Sequence, residues 1–286
     1  PGVYDRVGPR TAPDRPPERS HRLLPMPGQL LVDEPREGVL RLTISNPTKR
    51  NALDHAILDA LTEALDDAPG RARCVVLTGA DGMFSSGYDI GDIPADVFAV
   101  EAEKLVAHPF TAALEALDAL DIPTVAALPG HTIGGGLELA LCCDLRIAAH
   151  GIRLGMPPAK LGLVYSHTGL RRFLDAIGAP RTRQLFLVGR NIDAPTAMDW
   201  GLVNDVVEPA GLAEASLGWA EELAANAPLS VQGNKRVLRA LLAAEGTLDP
   251  AVEAELIALR EACFSSQDMH EGVRAFAEKR APRWTG

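Results

Sequence analysis

Two short glycine-containing segments carry the residues best suited to chemistry. The first, FSSGYDI at 84–90, follows an apolar run and contains Gly87, where the absence of a side chain lets a backbone approach a ligand closely. The second, GHTIGGGLELA at 130–140, opens an apolar helix that carries Glu138. Three glycines at a helix start leave N–H groups free at the positive end of the helix dipole. The pattern predicts a site where backbone N–H groups hold an anion or an oxygen that gains negative charge.

Simpler interpretations of both segments stay open. The first segment is also typical of a turn between a strand and a helix. The second is not a P-loop, because no Gly-Lys-Ser/Thr follows, and its spacing does not fit GxGxxG. A purely structural turn is the other interpretation of this segment, although three consecutive glycines cost helix stability without a reason.

Composition excludes several classes of function. The chain has 286 residues, of which 47% are hydrophobic and 23% charged, as is ordinary for a globular protein with a core. The formal net charge of −10 argues against a nucleic-acid partner or an anionic membrane surface, which would favour a basic face. No apolar run reaches membrane-spanning length and no signal peptide is visible.

The four cysteines fit a reducing compartment. None forms a CxxC pair, so the sequence suggests neither a disulfide framework nor a zinc site. We therefore expect no metal and a cytoplasmic location.

The chain divides into three parts. Residues 1–28 hold seven prolines and five arginines but few core-forming residues, which predicts a disordered extension. In 29–210 the apolar runs at 39–44, 74–77 and 124–128 predict strands that alternate with helices, for example at 53–65 and about 97–120. From 211 to 286 the pattern is mostly helical, and Ser265 with Asp268 suggests a capping box for the last helix. The fold class predicted is α/β with crossover connections.

A family resemblance emerges from three segments taken together. NPTKRNAL (46–53), FSSGYDI (84–90) and GHTIGGGLELALCCDLRIAA (130–149) resemble, in order and separation, the motifs of the crotonase (enoyl-CoA hydratase/isomerase) superfamily. The resemblance covers about 29–285. It implies a ClpP/crotonase fold with a ββα superhelix core and a helical C-terminal trimerisation region. It also implies a homotrimer or a dimer of trimers.

The resemblance implies an acyl-CoA thioester substrate, with coenzyme A as part of the substrate and no other cofactor. The family's two oxyanion-hole N–H groups map onto Tyr88 and Gly135. This agrees with the chemistry, because one such donor is typically worth about 3 kcal/mol of a barrier. The residues that the resemblance assigns to the substrate or to coenzyme A are Lys49, Arg50, Ala52, Ser86, Gly87, Asp89, Ile90, Gly134, Pro157, Phe276 and Lys279.

The side chains at the site must indicate which reaction the protein catalyses. A hydratase similar to the family type needs two glutamates around its water. Glu138 matches the first, but Pro158 stands where the second is expected, and proline has no acid–base chemistry. The pattern therefore disfavours simple hydration.

A narrower resemblance suggests decarboxylation. The segments 84–94, 156–165 and 268–282 resemble the methylmalonyl-CoA decarboxylases. Their active-site tyrosine maps onto Tyr165, whereas Tyr88 stands where they have a histidine. We predict a lyase that decarboxylates methylmalonyl-CoA or a related 2-alkylmalonyl-CoA, with Tyr165 orienting the carboxylate and Glu138 either a scaffold residue or a proton shuttle.

Two alternatives remain. One is an enoyl-CoA hydratase or isomerase that acts with Glu138 alone. The other is a non-catalytic acyl-CoA-binding protein that kept the scaffold.

Overall fold

The computed structural model describes residues 28–89, 104, 106–160, 165–244, 249–252, 254–255, 258 and the single positions 267, 271, 275, 278, 280, 283 and 285. The predicted extension therefore lies outside the described residues, apart from its last position. So does the predicted helix start at Ser265. Of the helix predicted at about 97–120, all positions before 106 except 104 also lie outside the described residues, and the chain is helical over 106–119. The division of the chain into three parts stays a prediction.

Nine strands within the described ranges form two sheets. They are β1 (Gln29–Arg36), β2 (Val39–Ser45), β3 (Cys74–Gly79), β4 (Thr124–Leu128), β5 (Thr132–Ile133), β6 (Leu145–Ala149), β7 (Arg153–Gly155), β8 (Ile192–Asp193) and β9 (Asp205–Val207). The larger sheet has the order β1-β2-β3-β4-β6-β9, and every neighbouring pair except the antiparallel β1/β2 is parallel. The smaller sheet has the order β5-β7-β8. The predicted α/β class is confirmed.

The central strands owe their position to continuous apolar runs. The first four residues of β3 and all five of β4 are buried, as expected for parallel strands covered on both faces. In β2 the buried side chains of Leu40, Leu42 and Ile44 alternate with half-buried ones, so that strand presents one apolar face to the core. These strands were predicted from the sequence and are confirmed.

Seven α-helices lie within the described ranges: α1 (His55–Asp66), α2 (Thr111–Ala119), α3 (Gly135–Cys142), α4 (His167–Arg183), α5 (Ala194–Asp199), α6 (Leu212–Ala225) and α7 (Pro228–Ala243). The helix predicted to begin at Leu53 begins at His55, because the Asp54 side chain accepts a hydrogen bond from the Ile57 N–H and caps it. A backbone kink interrupts α4 at Gly178. α6 packs along β2, β3, β4 and β6 and covers the sheet.

The sheet topology decides where a site can form. Because β3 and β4 are parallel neighbours, their carboxyl ends lie side by side. The segments that follow them, 80–89 and 129–134, therefore meet above the same edge of the sheet. Ligands of parallel sheets bind at this edge, and both glycine-containing motifs lie there.

Helix α7 is attached to the rest of the protein mainly through charges. Lys235 pairs with Asp144 at 2.7 Å, and Arg239 pairs with Asp121 at 2.7 Å. No side chain of α7 is buried, and its leucines 238, 241 and 242 are more than half exposed. An exposed apolar surface of this kind suits self-association, but the predicted trimer or dimer of trimers stays a prediction.

Candidate active site

The segment after β3 is fixed by backbone hydrogen bonds to its neighbours. The Leu53 N–H donates to the Gly87 carbonyl at 2.8 Å, and the Asp89 N–H donates to the Leu53 carbonyl at 2.9 Å. These two bonds flank Tyr88 like a strand pairing, so the N–H of Tyr88 points away from Leu53. Ser85 meets Thr132 of the second segment in a further bridge, and its carbonyl accepts from the Ile133 N–H at 3.0 Å.

The second segment turns into α3 at Gly134. This glycine has φ +57°, which L-residues rarely adopt, and its N–H donates to the Gly155 carbonyl at 2.9 Å. Helix α3 then begins at Gly135, whose N–H has no partner within the helix. The sequence pattern of three glycines therefore does place a free N–H at a helix start.

The two segments touch where the oxyanion hole is predicted. A methyl group added to Gly87 would lie 3.0 Å from the Ile133 carbonyl oxygen and 3.2 Å from the Gly135 nitrogen. A methyl group on Gly135 would lie 2.5 Å from Cε1 of Tyr88. The Tyr88 and Gly135 backbones are thus brought together, and the Tyr88 ring lies against Gly135. Two backbone N–H donors directed at one oxygen would stabilise the charge that it gains.

A hydrogen-bonded chain of side chains extends from this point into the core. The Tyr88 and Tyr165 hydroxyl oxygens are 3.2 Å apart. The Tyr165 hydroxyl donates a hydrogen bond to Oε2 of Glu138, which is only 2% exposed. Tyr165 has one hydroxyl proton and gives it to Glu138, so Tyr88 is the donor in the first bond.

Arg172 of α4 closes the other end of this chain. Its guanidinium makes two hydrogen bonds with Asp118 of α2, at 2.8 and 2.5 Å. Its Nε lies 3.8 Å from Oε1 of Glu138, too far for a hydrogen bond but close enough for a charge interaction. Both carboxylate oxygens of Glu138 therefore face a protein group.

The surroundings shift the titration of these groups. Burial raises the pKa of Glu138 above its ordinary value, and the Tyr165 hydrogen bond and the Arg172 charge only partly oppose it. Burial also raises the pKa of both Tyr88 and Tyr165. Both hydroxyls are therefore protonated at neutral pH, and the site holds two neutral donors beside a carboxylate whose pKa is raised.

Aromatic rings line the chain of hydroxyls. Phe110 meets Tyr88 edge-on with ring centroids 4.7 Å apart, and Phe186 meets Tyr165 at 5.4 Å. Phe173 packs against Phe186 at 5.0 Å. These rings fix the two tyrosines and keep the surroundings apolar, which strengthens electrostatic interactions at the site.

The residues predicted to bind coenzyme A are only partly brought together. Lys49 pairs with Asp89 at 2.8 Å, so its charge is shared with a carboxylate of the same site. Arg50 is exposed, and the Ser86 hydroxyl donates to the Lys49 carbonyl at 3.1 Å. Ala52 is buried beside this loop and Pro157 is half-buried. Ile90, Phe276 and Lys279 lie outside the described residues.

Three residues of the site were missed in the sequence: Asp118, Gly169 and Arg172. Gly169 lies directly under the two key side chains, because a methyl group there would be 2.6 Å from Cε1 of Tyr165 and 2.8 Å from Oε1 of Glu138. A signal for two of them was present, since Gly169 and Arg172 follow Tyr165 closely and have the i, i+3 spacing of one helix face. Asp118 has no such signal.

Substituting Gly169 with Ala is expected to destabilise the fold by about 1–3 kcal/mol, because the new methyl group must displace Tyr165 or Glu138. Denaturant unfolding measures this. The matched control is Gly218→Ala, since that helical position has nothing within 4 Å and no positive φ. The control should gain up to about 1 kcal/mol from helix propensity. Equal stabilities for the two variants would contradict the packing described here.

No group of three or more His, Cys, Asp or Glu residues within the described ranges is arranged to hold a metal ion. None of the helices in those ranges is long and apolar enough to cross a membrane.

Comparisons with known proteins agree on one family. The model of the enoyl-CoA hydratase/isomerase family matches residues 34–286. The chain is 35% identical to a protein of Mycobacterium tuberculosis named "Probable enoyl-CoA hydratase echA6", over 87% of this chain and 97% of that protein. It is 32% identical to the 2,3-dehydroadipyl-CoA hydratase of Escherichia coli, over 90% of this chain and 98% of that protein. It superposes on an enoyl-CoA hydratase from Bacillus anthracis with a TM-score of 0.81 at 29% identity, covering 90% of this chain and 99% of that one.

Proposed function

Because this chain belongs to the enoyl-CoA hydratase/isomerase family, we propose that it moves a proton along the acyl chain of an enoyl-CoA thioester, with Glu138 as the one acid–base carboxylate. The observation that carries this proposal is the hydrogen bond from the Tyr165 hydroxyl to the buried Glu138 carboxylate. A buried carboxylate with a raised pKa, linked to hydroxyls at an oxyanion hole, is suited to accept and return a proton.

The thioester carbonyl would be held by the N–H groups of Tyr88 and Gly135. Removing a proton next to a thioester places negative charge on the carbonyl oxygen, and two preorganised donors stabilise that charge. The N–H of Gly135 adds the positive end of the α3 dipole. This half of the chemistry is the same for every reaction that passes through a thioester enolate.

Isomerisation of the double bond is the reaction that one carboxylate can complete. In a 3-enoyl-CoA, the base removes a proton from C2 and the charge spreads over a dienolate. The same group then returns the proton to C4, which leaves a 2-enoyl-CoA. Glu138 begins ionised, becomes protonated and ends ionised, so no second acid is needed.

Hydration needs more acid–base groups than isomerisation does. Water must lose a proton as it attacks C3, while C2 must gain one, which is the work of a base and an acid. The position of the expected second glutamate holds Pro158, which is buried in a short 3₁₀ turn. Within the described residues the next carboxylate along the chain of contacts is Asp118, and it is engaged by Arg172.

The names of the relatives support the substrate class. The two relatives compared above are named as hydratases, and one name specifies a dehydroadipyl-CoA. A 2-enoyl-CoA is the substrate of a hydratase and the product of the isomerisation proposed here. The names therefore favour an enoyl thioester over a malonyl one.

Decarboxylation of methylmalonyl-CoA or a 2-alkylmalonyl-CoA is the second candidate, and Pro158 is the observation that favours it. An uncharged residue there avoids repulsion of a substrate carboxylate. Tyr165 supports this candidate less than the sequence suggested, because its hydroxyl proton is given to Glu138. A substrate carboxylate would have to compete with Glu138 for that proton.

A substrate panel separates these candidates. Purified protein is incubated with 3-butenoyl-CoA, crotonyl-CoA and methylmalonyl-CoA, and products are identified by mass spectrometry with chromatographic separation of isomers. We expect 3-butenoyl-CoA to become crotonyl-CoA without a change in mass. Loss of CO₂ from methylmalonyl-CoA with 3-butenoyl-CoA untouched would establish the second candidate instead. Tight binding without any turnover would favour a non-catalytic acyl-CoA-binding protein.

Arg50→Met is expected to raise KM for the CoA thioester several-fold and leave kcat unchanged, because an exposed arginine next to the site suits a phosphate of coenzyme A. The matched substrate is the pantetheine thioester of the same acyl group, which lacks the nucleotide. Its KM should be the same for both proteins. A change in KM for both substrates would show that Arg50 acts on the loop and not on the nucleotide.

A further inference from the structure

Glu138 is poorly placed to meet a substrate carbon itself. It is 2% exposed, its Oε2 receives the Tyr165 hydroxyl, and its Oε1 faces Arg172 at 3.8 Å. A methyl group on Gly169 would lie 2.8 Å from the same Oε1, so the helix backbone closes that side. Any proton that reaches Glu138 from the substrate must pass through another group.

Tyr165 is the only hydroxyl that the structure places on Glu138 among the described residues, and it is also buried, at 9% exposed. Tyr88 is the next group outward. It is half-buried, and its hydroxyl lies 3.2 Å from that of Tyr165. Glu138, Tyr165 and Tyr88 therefore form a linear hydrogen-bonded chain from the core toward the oxyanion hole.

Tyr88 is tied to the oxyanion hole by its own backbone. Its N–H is one of the two predicted donors, and its ring lies against Gly135, whose N–H is the other. The carbon that loses a proton is bonded directly to the thioester carbonyl carbon. Of the three groups in this hydrogen-bonded chain, the Tyr88 side chain is therefore the one nearest to that carbon.

We propose that Tyr88 is a catalytic residue whose hydroxyl exchanges the proton with the substrate carbon, while Tyr165 passes it on to Glu138. The proposal rests on the proposed function. The substrate C–H bond breaks and its electron pair stays in the enolate. The Tyr88 oxygen gains that proton as its own proton moves to Tyr165, and the Tyr165 proton moves to Oε2 of Glu138.

Both tyrosines end this step neutral, and only Glu138 changes its charge. No tyrosinate accumulates, which agrees with burial disfavouring the ionised form of both hydroxyls. The reverse proton transfers along the same hydrogen-bonded chain return a proton to the substrate, at C2 or at C4.

Tyr88→Phe tests the relay, because it keeps the backbone N–H, the ring against Gly135 and the contact with Phe110. The rate of exchange of the C2 protons of butyryl-CoA in deuterated water, followed by mass spectrometry, is expected to fall by about 10²-fold or more. The carbon-13 shift of the bound thioester carbonyl should stay as in the wild type, because the oxyanion donors are unchanged. Thr78→Val, which removes a hydroxyl bonded to the Ala127 carbonyl elsewhere in the sheet, is the control and should exchange normally.

A double variant distinguishes a relay from parallel effects. If the three groups act in series, the double variant Tyr88→Phe with Glu138→Gln should exchange C2 protons no more slowly than the slower of the two single variants. Exchange by Tyr88→Phe within threefold of the wild type, with Glu138→Gln slow, would overturn the relay and leave the proposed function standing. A changed carbonyl shift in Tyr88→Phe would also overturn it, because the hydroxyl would then act on the oxyanion hole. A wild type that neither exchanges C2 protons nor isomerises 3-butenoyl-CoA would remove the proposed function and the relay with it.

Discussion

Glu138→Gln is expected to lower turnover of an enoyl-CoA thioester by about 10²–10⁴-fold, the usual worth of a general acid–base group. Glutamine keeps the size of the side chain and accepts the Tyr165 hydrogen bond, but it cannot take up a proton. Steady-state kinetics on the best substrate of the panel measure the loss. Binding of the thioester should change little, since the oxyanion donors are backbone groups.

The same variant should gain stability at alkaline pH. Burial raises the pKa of Glu138 in the folded state. The contribution of Glu138 to the free energy of unfolding is therefore complete below its ordinary pKa of about 4.3 and is lost as the pH rises through the raised pKa. Glutamine does not ionise, so we expect a higher Tm than the wild type at about pH 8 and a smaller difference at about pH 4. Glu115→Gln is the control, because Glu115 is exposed on α2. A lower Tm of Glu138→Gln at about pH 8 would mean that the Arg172 charge outweighs burial.

Gly87→Ala is expected to lower kcat by about 10²–10³-fold, which is the effect of losing one oxyanion donor. The new methyl group would lie 3.0 Å from the Ile133 carbonyl oxygen and 3.2 Å from the Gly135 nitrogen, so the two segments must move apart. Because both donors lie on these segments, their spacing changes together. Kinetics with a saturating thioester and the carbonyl shift of the bound thioester measure the two consequences.

Backbone strain has to be separated from this effect. Gly87 has φ +96°, which itself costs about 1–3 kcal/mol for alanine. Gly82 has φ +68° in the same segment after β3 but nothing within 4 Å, so Gly82→Ala carries strain without intrusion. We expect Gly82→Ala to lose stability and keep kcat. Equal losses of kcat in both variants would contradict the proposed arrangement of the oxyanion hole.

Much of the fold was predictable because its central strands have unambiguous sequences. The runs in β3 and β4 are apolar throughout, and only a strand covered on both faces needs that pattern. Three motifs in order then indicated the crotonase fold, which is confirmed. The start of α1 was misplaced by two residues, because Leu53 has helical spacing but Asp54 caps the helix after it.

The site was predictable only where its residues are local in sequence. Gly87 with Tyr88, and Gly135 with Glu138, lie within the two motifs, and the structure brings both pairs together. Their roles in catalysis stay predictions.

Long-range contacts could not be predicted in this way. Arg172 and Asp118 are 54 residues apart, and their pairing follows from how α2 and α4 pack around α3. The proton of Tyr165 was likewise assigned to a substrate carboxylate, because nothing in the sequence shows that Glu138 lies within hydrogen-bonding distance. The narrower resemblance to methylmalonyl-CoA decarboxylases therefore stays a prediction, and the geometry of Glu138 gives the enoyl-CoA reaction more support.

The most direct test of the central claim follows the fate of a single proton. Isomerisation of 3-butenoyl-CoA is run in deuterated water by the wild type and by Glu138→Gln, and the crotonyl-CoA formed is analysed by carbon position. If Glu138 carries the proton between C2 and C4, part of the hydrogen that the wild type removes from C2 appears at C4 of the crotonyl-CoA in place of deuterium. Glu138→Gln should form almost no crotonyl-CoA. Equal rates for the two proteins, or CO₂ release from methylmalonyl-CoA as the only turnover by either, would contradict it.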